Sequence, residues 1–259
     1  MAIGRNAGAV SQSGNAIAIG TSAGANSQGI SVAIGSGAGN NTQGDRAIGL
    51  GTSAGGQFQG FASIAIGTSA ARLQQLANAV AIGTGAGQTS QGERSIAIGT
   101  AAGATDLGAN SIVIGTSAQT TGDGSIVINA TGATLAPTTN AAFTVAPVRG
   151  VATSTPVLVY NATTKEITYN TSTRRIKKNI IDLTANTAHV YDIRPVEYDA
   201  IVDDKHFVGL IAEEVYEADP NFAWMLNEQP EGIEWFNILV YTVAELKKLR
   251  ARVAVLESK

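Results

Sequence analysis

Ser63-Ile-Ala-Ile-Gly-Thr-Ser-Ala70 decides the reading of this chain, because it returns elsewhere. Near-copies stand at Ala16-Ile-Ala-Ile-Gly-Thr-Ser-Ala23 and Ser95-Ile-Ala-Ile-Gly-Thr-Ala-Ala102, with looser ones between. The anchor glycines are Gly4, Gly20, Gly35, Gly51, Gly67, Gly83, Gly99 and Gly115, spaced by 16 residues with one interval of 15, and a last variant ends at Asn129. Ahead of each anchor from the second unit on stands an apolar pair such as Ile17/Ile19, Val32/Ile34, Ile64/Ile66 and Ile96/Ile98. Residues two apart share one face of a strand, and β-branched side chains suit that conformation. The residue between them is small (Ala18, Ala33, Gly49, Ala65, Ala81, Ala97), so the other face is nearly bare. An alanine follows each anchor by three residues, from Ala7 to Ala118, and the pairs Gln28-Gly29, Gln43-Gly44, Gln59-Gly60 and Gln91-Gly92 read as turns. A fixed period with one strand per unit is the mark of a solenoid whose coils stack through backbone hydrogen bonds. One such coil has too few large side chains to enclose a core, and the bare Ala face invites another copy to approach. The expectation is a multi-chain parallel β-roll.

Composition agrees with a thin repetitive core. Of 259 residues only 5% are aromatic and 14% charged, while 30 are glycine. A net charge of −3 supplies no field that would draw the chain to nucleic acid or an anionic membrane. Without cysteine there is no disulfide framework and no thiolate metal site, and two histidines, His189 and His206, make a His-based metal site a poor expectation. No cofactor is expected. The first residues, MAIGRNAGAV, lack the charged-then-apolar layout of a secretory signal, and no apolar run approaches a membrane span.

The units AIAIGTSAGANSQG and SIAIGTAAGATDLG resemble the head repeats of trimeric autotransporter adhesins, the YadA-like β-roll. The resemblance covers residues 1–132 and implies three chains, each contributing a left-handed parallel roll about a shared axis. The period here is 16 where that family is often nearer 14, and no membrane barrel follows, so secretion by that route is not expected. Gly35, Gly37 and Gly39, like Gly83, Gly85 and Gly87, imitate a phosphate-binding loop, but such a loop must open a helix after a buried strand. They read as coil turns. Asp45, Glu93 and Asp123 fall singly after turn glycines and read as solvated turn residues, not metal ligands. Phe58, Phe61, Leu73 and Leu76 break the small-residue pattern, which fits local packing in a bulged coil better than a receptor patch. A host-surface receptor or glycan, if there is one, would meet the roll.

Residues 133–171 form a connector. The runs Pro156–Tyr160 and Glu166–Tyr169 alternate about Asn161–Lys165, which predicts a β-hairpin. Asn161-Ala-Thr163 is formally a glycosylation sequon, of a kind common by chance in so Asn/Thr-rich a chain. The stretch from Ala146 to Tyr169 resembles connectors ahead of the C-terminal domain of viral fibre proteins.

From Ser172 the character changes: most Lys and Arg and both tryptophans lie in the last third. Residues 172–259 read as a small α/β domain, with a strand at Pro195–Tyr198, a strand-to-helix passage at Gly209–Val215, and a helix from about Ile233. In that helix Leu246, Leu249, Val253 and Leu256 follow the 3-4-3 spacing of a coiled-coil seam, which needs partners. Ser172-Thr-Arg-Arg-Ile-Lys177-Lys-Asn-Ile180, Ile193-Arg-Pro-Val196, Gly209-Leu-Ile-Ala-Glu-Glu-Val215 and Gly232-Ile-Glu-Trp235 resemble, in order, the endosialidase-type intramolecular chaperone. This is the self-cleaving C-terminal domain of phage tailspikes, tail fibres and some giant-virus proteins. The resemblance implies a homotrimeric domain that brings the chains into register and then cuts itself off with a Ser–Lys dyad. Carried onto this chain, Ser172 is the nucleophile, Lys177 the general base, and Thr171–Ser172 the scissile bond.

A serine hydroxyl needs a base, and lysine serves only as a neutral amine, a form favoured by burial and by the neighbouring charges of Arg174, Arg175 and Lys178. Five residues is an awkward separation. It puts the side chains on opposite faces of a strand, or about 140° apart on a helix, so a turn or a neighbouring chain must join them. Many relatives carry Asp directly after the serine, where this chain has Thr173. The basic cluster of residues 174–178 has no DNA-binding motif beside it, and Glu213 and Glu214 read as helix-start carboxylates. The expected protein is a virion fibre or tail subunit, made in the host cytoplasm, with a single-turnover autoprotease acting on no other substrate. The alternative is a bacterial or prophage-derived trimeric adhesin that keeps its cap uncut. Neither reading involves nucleic acid or membrane insertion.

Overall fold

A computed structural model describes residues 1–137, 139–149, 158–161, 164–169, 171–201 and 204–258. They form two compact units, residues 1–154 and 155–259.

The first unit is a parallel β-solenoid. Among the described residues ten strands run from Ala2–Ile3 to Phe143–Ala146 in one sheet, in chain order. Strands pair one repeat apart, so that Ile64, Ala65 and Ile66 face Val80, Ala81 and Ile82. A second parallel sheet of five strands, Asn26–Gln28, Asn41–Gln43, Gln57–Gln59, Leu73–Gln75 and Thr89–Gln91, closes the other side of the coils. The anchor glycine is required by the backbone. Gly67 has φ +124°, and a Cβ there would stand 2.7 Å from the carbonyl oxygen of Gly83 in the next coil.

The faces of these strands are the reverse of the expectation. Ala18, Ala33, Ala65, Ala81 and Ala97 are 0% exposed inside a single chain, packed toward Ala23, Ala38, Ala54, Ala70, Ala86 and Ala102 of their own coils. The bare face is therefore no surface for another copy. The larger residues, including Ile48, Leu50, Ile82, Ile98, Ile114, Ile126 and Ile128, stand outside as an exposed ridge. Volume explains the inversion, since a Cβ even at Gly49 would come within 2.9 Å of the Ala54 carbonyl oxygen. A coil this narrow accepts alanine and excludes isoleucine.

Glutamine completes the core. Gln28, Gln43, Gln59, Gln75 and Gln91, four of which read as turn residues, end the strands of the second sheet with side chains at most 2% exposed. Their amides form a ladder: Gln28 donates to Gln43 at 3.1 Å, Gln43 to Gln59 at 3.0 Å, Gln59 to Gln75 at 3.3 Å and Gln75 to Gln91 at 3.0 Å. Each also donates across the coil to a carbonyl of the long sheet, as Gln59 does to Ile48 at 2.8 Å and Gln91 to Val80 at 2.8 Å. Among the described residues no buried side-chain nitrogen or oxygen lacks a partner, as a polar interior demands.

The remaining departures are local. Gly35, Gly37 and Gly39 have positive φ and turn the coil; no helix is found among the described residues of the roll. Asp45 and Asp123 brace turns, accepting from Ile30 N at 2.8 Å and Ala109 N at 2.7 Å, while Glu93 pairs with Arg94 at 2.9 Å. The coil carrying Leu73 and Leu76 keeps the register of its neighbours and does not bulge. Phe58, Phe61 and Leu76 are exposed, with Arg46 over the Phe61 ring at 5.3 Å.

In the second unit, Leu158–Tyr160 pairs antiparallel with Ile167–Tyr169, the predicted hairpin. Residues 156, 157, 162 and 163, which hold the start of its first run and most of the sequon, lie outside the described residues. Val196–Asp199 pairs with His206–Gly209, and Ala223–Leu226 with Gln229–Ile233. Helix α1 spans Ala212–Ala218 and helix α2 Trp235–Glu257. The core is small: Val215, Phe222, Ala223 and Tyr241 are buried, with Phe222 edge-on to Tyr241 at 4.9 Å. Lys248 on α2 reaches Thr187 at 2.6 Å and Glu245 at 2.7 Å, and Thr187 donates to Glu245, tying the helix to the 3-10 segment Thr187–Asp192.

Candidate active site

Just after its hairpin the second unit holds a local structure that answers the five-residue problem. Thr173 is extended (φ −93°, ψ 150°) and caps a 3-10 turn at Arg174–Ile176, its hydroxyl accepting from Arg175 N at 3.0 Å. Ile176 N donates to Thr173 O at 3.2 Å and Lys177 N to Arg174 O at 3.3 Å. One tight turn shortens the path between its flanks. Lys177 leaves it extended, and its Nζ donates to Ser172 Oγ at 2.5 Å. Ser172 and Lys177 are thus brought together within one chain.

Thr171, Ser172 and Lys177 are all exposed in the single chain, not buried as the chemistry would favour. Ile176, Ile180 and Ile181 beside them are exposed too, Ile181 by 79%. Arg174, Arg175 and Lys178 stand in solvent.

Several other titratable groups of the second unit make structural pairs. Glu214 forms a forked ion pair with Arg194 (Nε to Oε2 3.0 Å), and the hydrogen bond from Arg194 holds its carboxyl below the usual range. Burial alone would raise Asp219, but hydrogen bonds from Asn221 and His189 outweigh it and hold that carboxyl low. Hydrogen bonds from Lys248 and Thr187 do the same for Glu245. Burial, followed by the charge of Asp219, raises the Tyr241 phenol. His206 sits between Asp199 at 2.9 Å and Glu197 at 3.6 Å. Among the described residues no three His, Cys, Asp or Glu cluster as metal ligands would, and no helix is long and apolar enough to cross a membrane.

The serine and the lysine singled out in the sequence lie in hydrogen-bond contact. Of the two ways of joining them that the spacing left open, a turn or a neighbouring chain, the structure has the turn, and Thr173 ahead of it is the N-cap that was not anticipated. Sequence reading also missed Thr187 and Glu245, whose contact spans 58 residues and leaves no local pattern.

Residues 172–223 match the family model described as chaperone of endosialidase, a peptidase family, and the match begins at Ser172. The chain therefore carries an endosialidase-chaperone domain near its C terminus, downstream of a β-solenoid. No curated protein and no solved structure matches the chain.

Proposed function

We propose that the chain is a subunit of a homotrimeric virus or phage fibre whose C-terminal domain aligns three copies and then releases itself by cutting between Thr171 and Ser172. The observation that carries this reading is the 2.5 Å contact between Lys177 Nζ and Ser172 Oγ, at the residue where the family match starts.

The serine lies on the leaving side of the scissile bond, which fixes the chemistry. As Ser172 Oγ attacks the Thr171 carbonyl carbon, neutral Lys177 takes the hydroxyl proton. The new C–O bond closes a five-membered ring through the Ser172 backbone. Collapse breaks the C–N bond, and the proton passes from Lys177 to the departing nitrogen. The product is an ester between Thr171 and Ser172 Oγ. Water then hydrolyses it, leaving a Thr171 carboxylate and a Ser172 with a free amine and a restored hydroxyl. The site acts once, on its own chain.

Assembly supplies what the single chain lacks. Trp235, Leu239, Leu246, Leu249, Val253 and Leu256 share one stripe of α2 and are 42–67% exposed. Each large apolar side chain fully buried contributes about 1.5–3 kcal/mol, so three helices meeting along this stripe have a strong driving force. The exposed Ile ridge of the roll offers a second contact along the same trimer. Neighbouring copies covering Ile176, Ile180 and Ile181 would also dry the dyad and favour the neutral amine.

Freshly made wild-type and Ser172→Ala chains, compared by denaturing electrophoresis and intact mass, test the proposal. Wild type should yield one fragment ending at Thr171 and one beginning at Ser172, both absent from the variant. Full-length chain alone in both samples would sink the autoprotease and leave a fibre or adhesin that keeps its cap.

A further inference from the structure

We infer that Thr173 is a positioning residue of the self-cleavage, its hydroxyl setting the turn that presents Lys177 to Ser172. The inference rests on the dyad reading above and adds a third side chain to it. Thr173 hydrogen-bonds neither the Lys177 amine nor the Ser172 hydroxyl. Its Oγ1 accepts from Arg175 N at 3.0 Å, and its carbonyl accepts from Ile176 N at 3.2 Å. Both contacts belong to the one turn between nucleophile and base.

That turn has little else to hold it. It comprises three residues, Arg174–Ile176, none of them buried. Short 3-10 segments have poor hydrogen-bond geometry, and a single turn fixes several dihedrals for few bonds. Outside the cap, two long backbone contacts and the Lys177–Ser172 bond across it, no hydrogen bond holds the turn among the described residues. The N-cap is therefore a large share of what keeps residues 172 and 177 within reach of each other. Thr173 is itself half-buried while its neighbours are exposed, as befits a side chain folded back on the backbone. Loss of an N-cap acceptor typically shifts a local equilibrium by about fivefold. The same shift should appear in the cleavage rate, because only chains with the turn formed have the base in place.

The capping chemistry also says which replacements serve. Asp, Asn and Ser cap at least as well as Thr, whereas Val keeps the shape and removes the acceptor. The hydroxyl's role is thus separable from the side chain's bulk.

The test measures first-order cleavage of the full chain for Thr173→Val, Thr173→Asp and Thr173→Ser, with amide exchange at Arg175 followed in an uncut Ser172→Ala background. Thr173→Val should cleave about fivefold more slowly and exchange Arg175 faster, and Thr173→Asp and Thr173→Ser should cleave at or near the wild-type rate. Wild-type cleavage by Thr173→Val, or Thr173→Asp as slow as Thr173→Val, would overturn the inference. The second comparison still decides if the valine variant folds poorly. Ser172→Ala and Lys177→Met run alongside. If they are inert while Thr173→Val is unaffected, the positioning role alone falls; if they still cleave, the dyad falls and the inference with it.

Discussion

In the roll, Ala65, Ala81 and Ala97 vanish inside one chain and each buried glutamine finds partners in its own and the next coil. Among the described residues of the C-terminal unit four side chains make the buried apolar cluster, while Trp235, Leu239, Leu246 and Leu249 stand in water. The roll closes its core by narrowing it until alanine fills the space, then satisfies the polar remainder with amides. The second unit spends its apolar residues on surface. A surface that leaves so much apolar side chain outside marks a place for a partner. Low aromatic content is thus compatible with a core closed inside one chain, although the roll too keeps an exposed ridge that includes Ile82, Ile98 and Ile114.

The largest effect should come from polarising the α2 stripe. Leu246→Asp with Leu249→Asp is expected to abolish assembly outright, and cleavage with it, while the thermal transition of the roll stays in place. Loss of the roll transition together with assembly would break the contrast, because the roll would then depend on partners as well.

A smaller and opposite effect is expected inside the roll. Gln59→Ala removes a donor to Ile48 and to Gln75 and an acceptor for Gln43. Stranded polar atoms and a cavity should together cost about 2–4 kcal/mol, read as an earlier roll transition in calorimetry with assembly unchanged.

The smallest effect is on acid stability. Asp219 and Glu245 have carboxyls held below the ordinary range in the folded unit. Their contribution is complete above the unfolded carboxylate value and is lost as pH falls through the lower folded ones. Acidification from about pH 5 toward pH 2 should therefore lower the transition of the C-terminal unit. The glutamine ladder has no group that titrates there. Circular dichroism across that range checks the order of loss.

The sequence showed the period, the strands and the seam plainly. It could not show which strand face lies inside. Ile64-Ala65-Ile66 alternates equally well with either side inward, and the choice depends on a coil width that no single repeat reveals. Glutamine beside glycine looks like turn chemistry because its partners lie a whole repeat away, as Gln75 lies from Gln91. The proposed dyad was legible only as two residue types at a spacing that neither helix nor strand satisfies. What closes the gap is a capped turn of three residues, too short for periodicity to register.

Sedimentation equilibrium of the full Ser172→Ala chain, locked in its uncut form, tests the central contrast most directly. A species of three times the chain mass that persists at micromolar concentration is expected. A monomer with its α2 stripe in solvent would contradict that expectation.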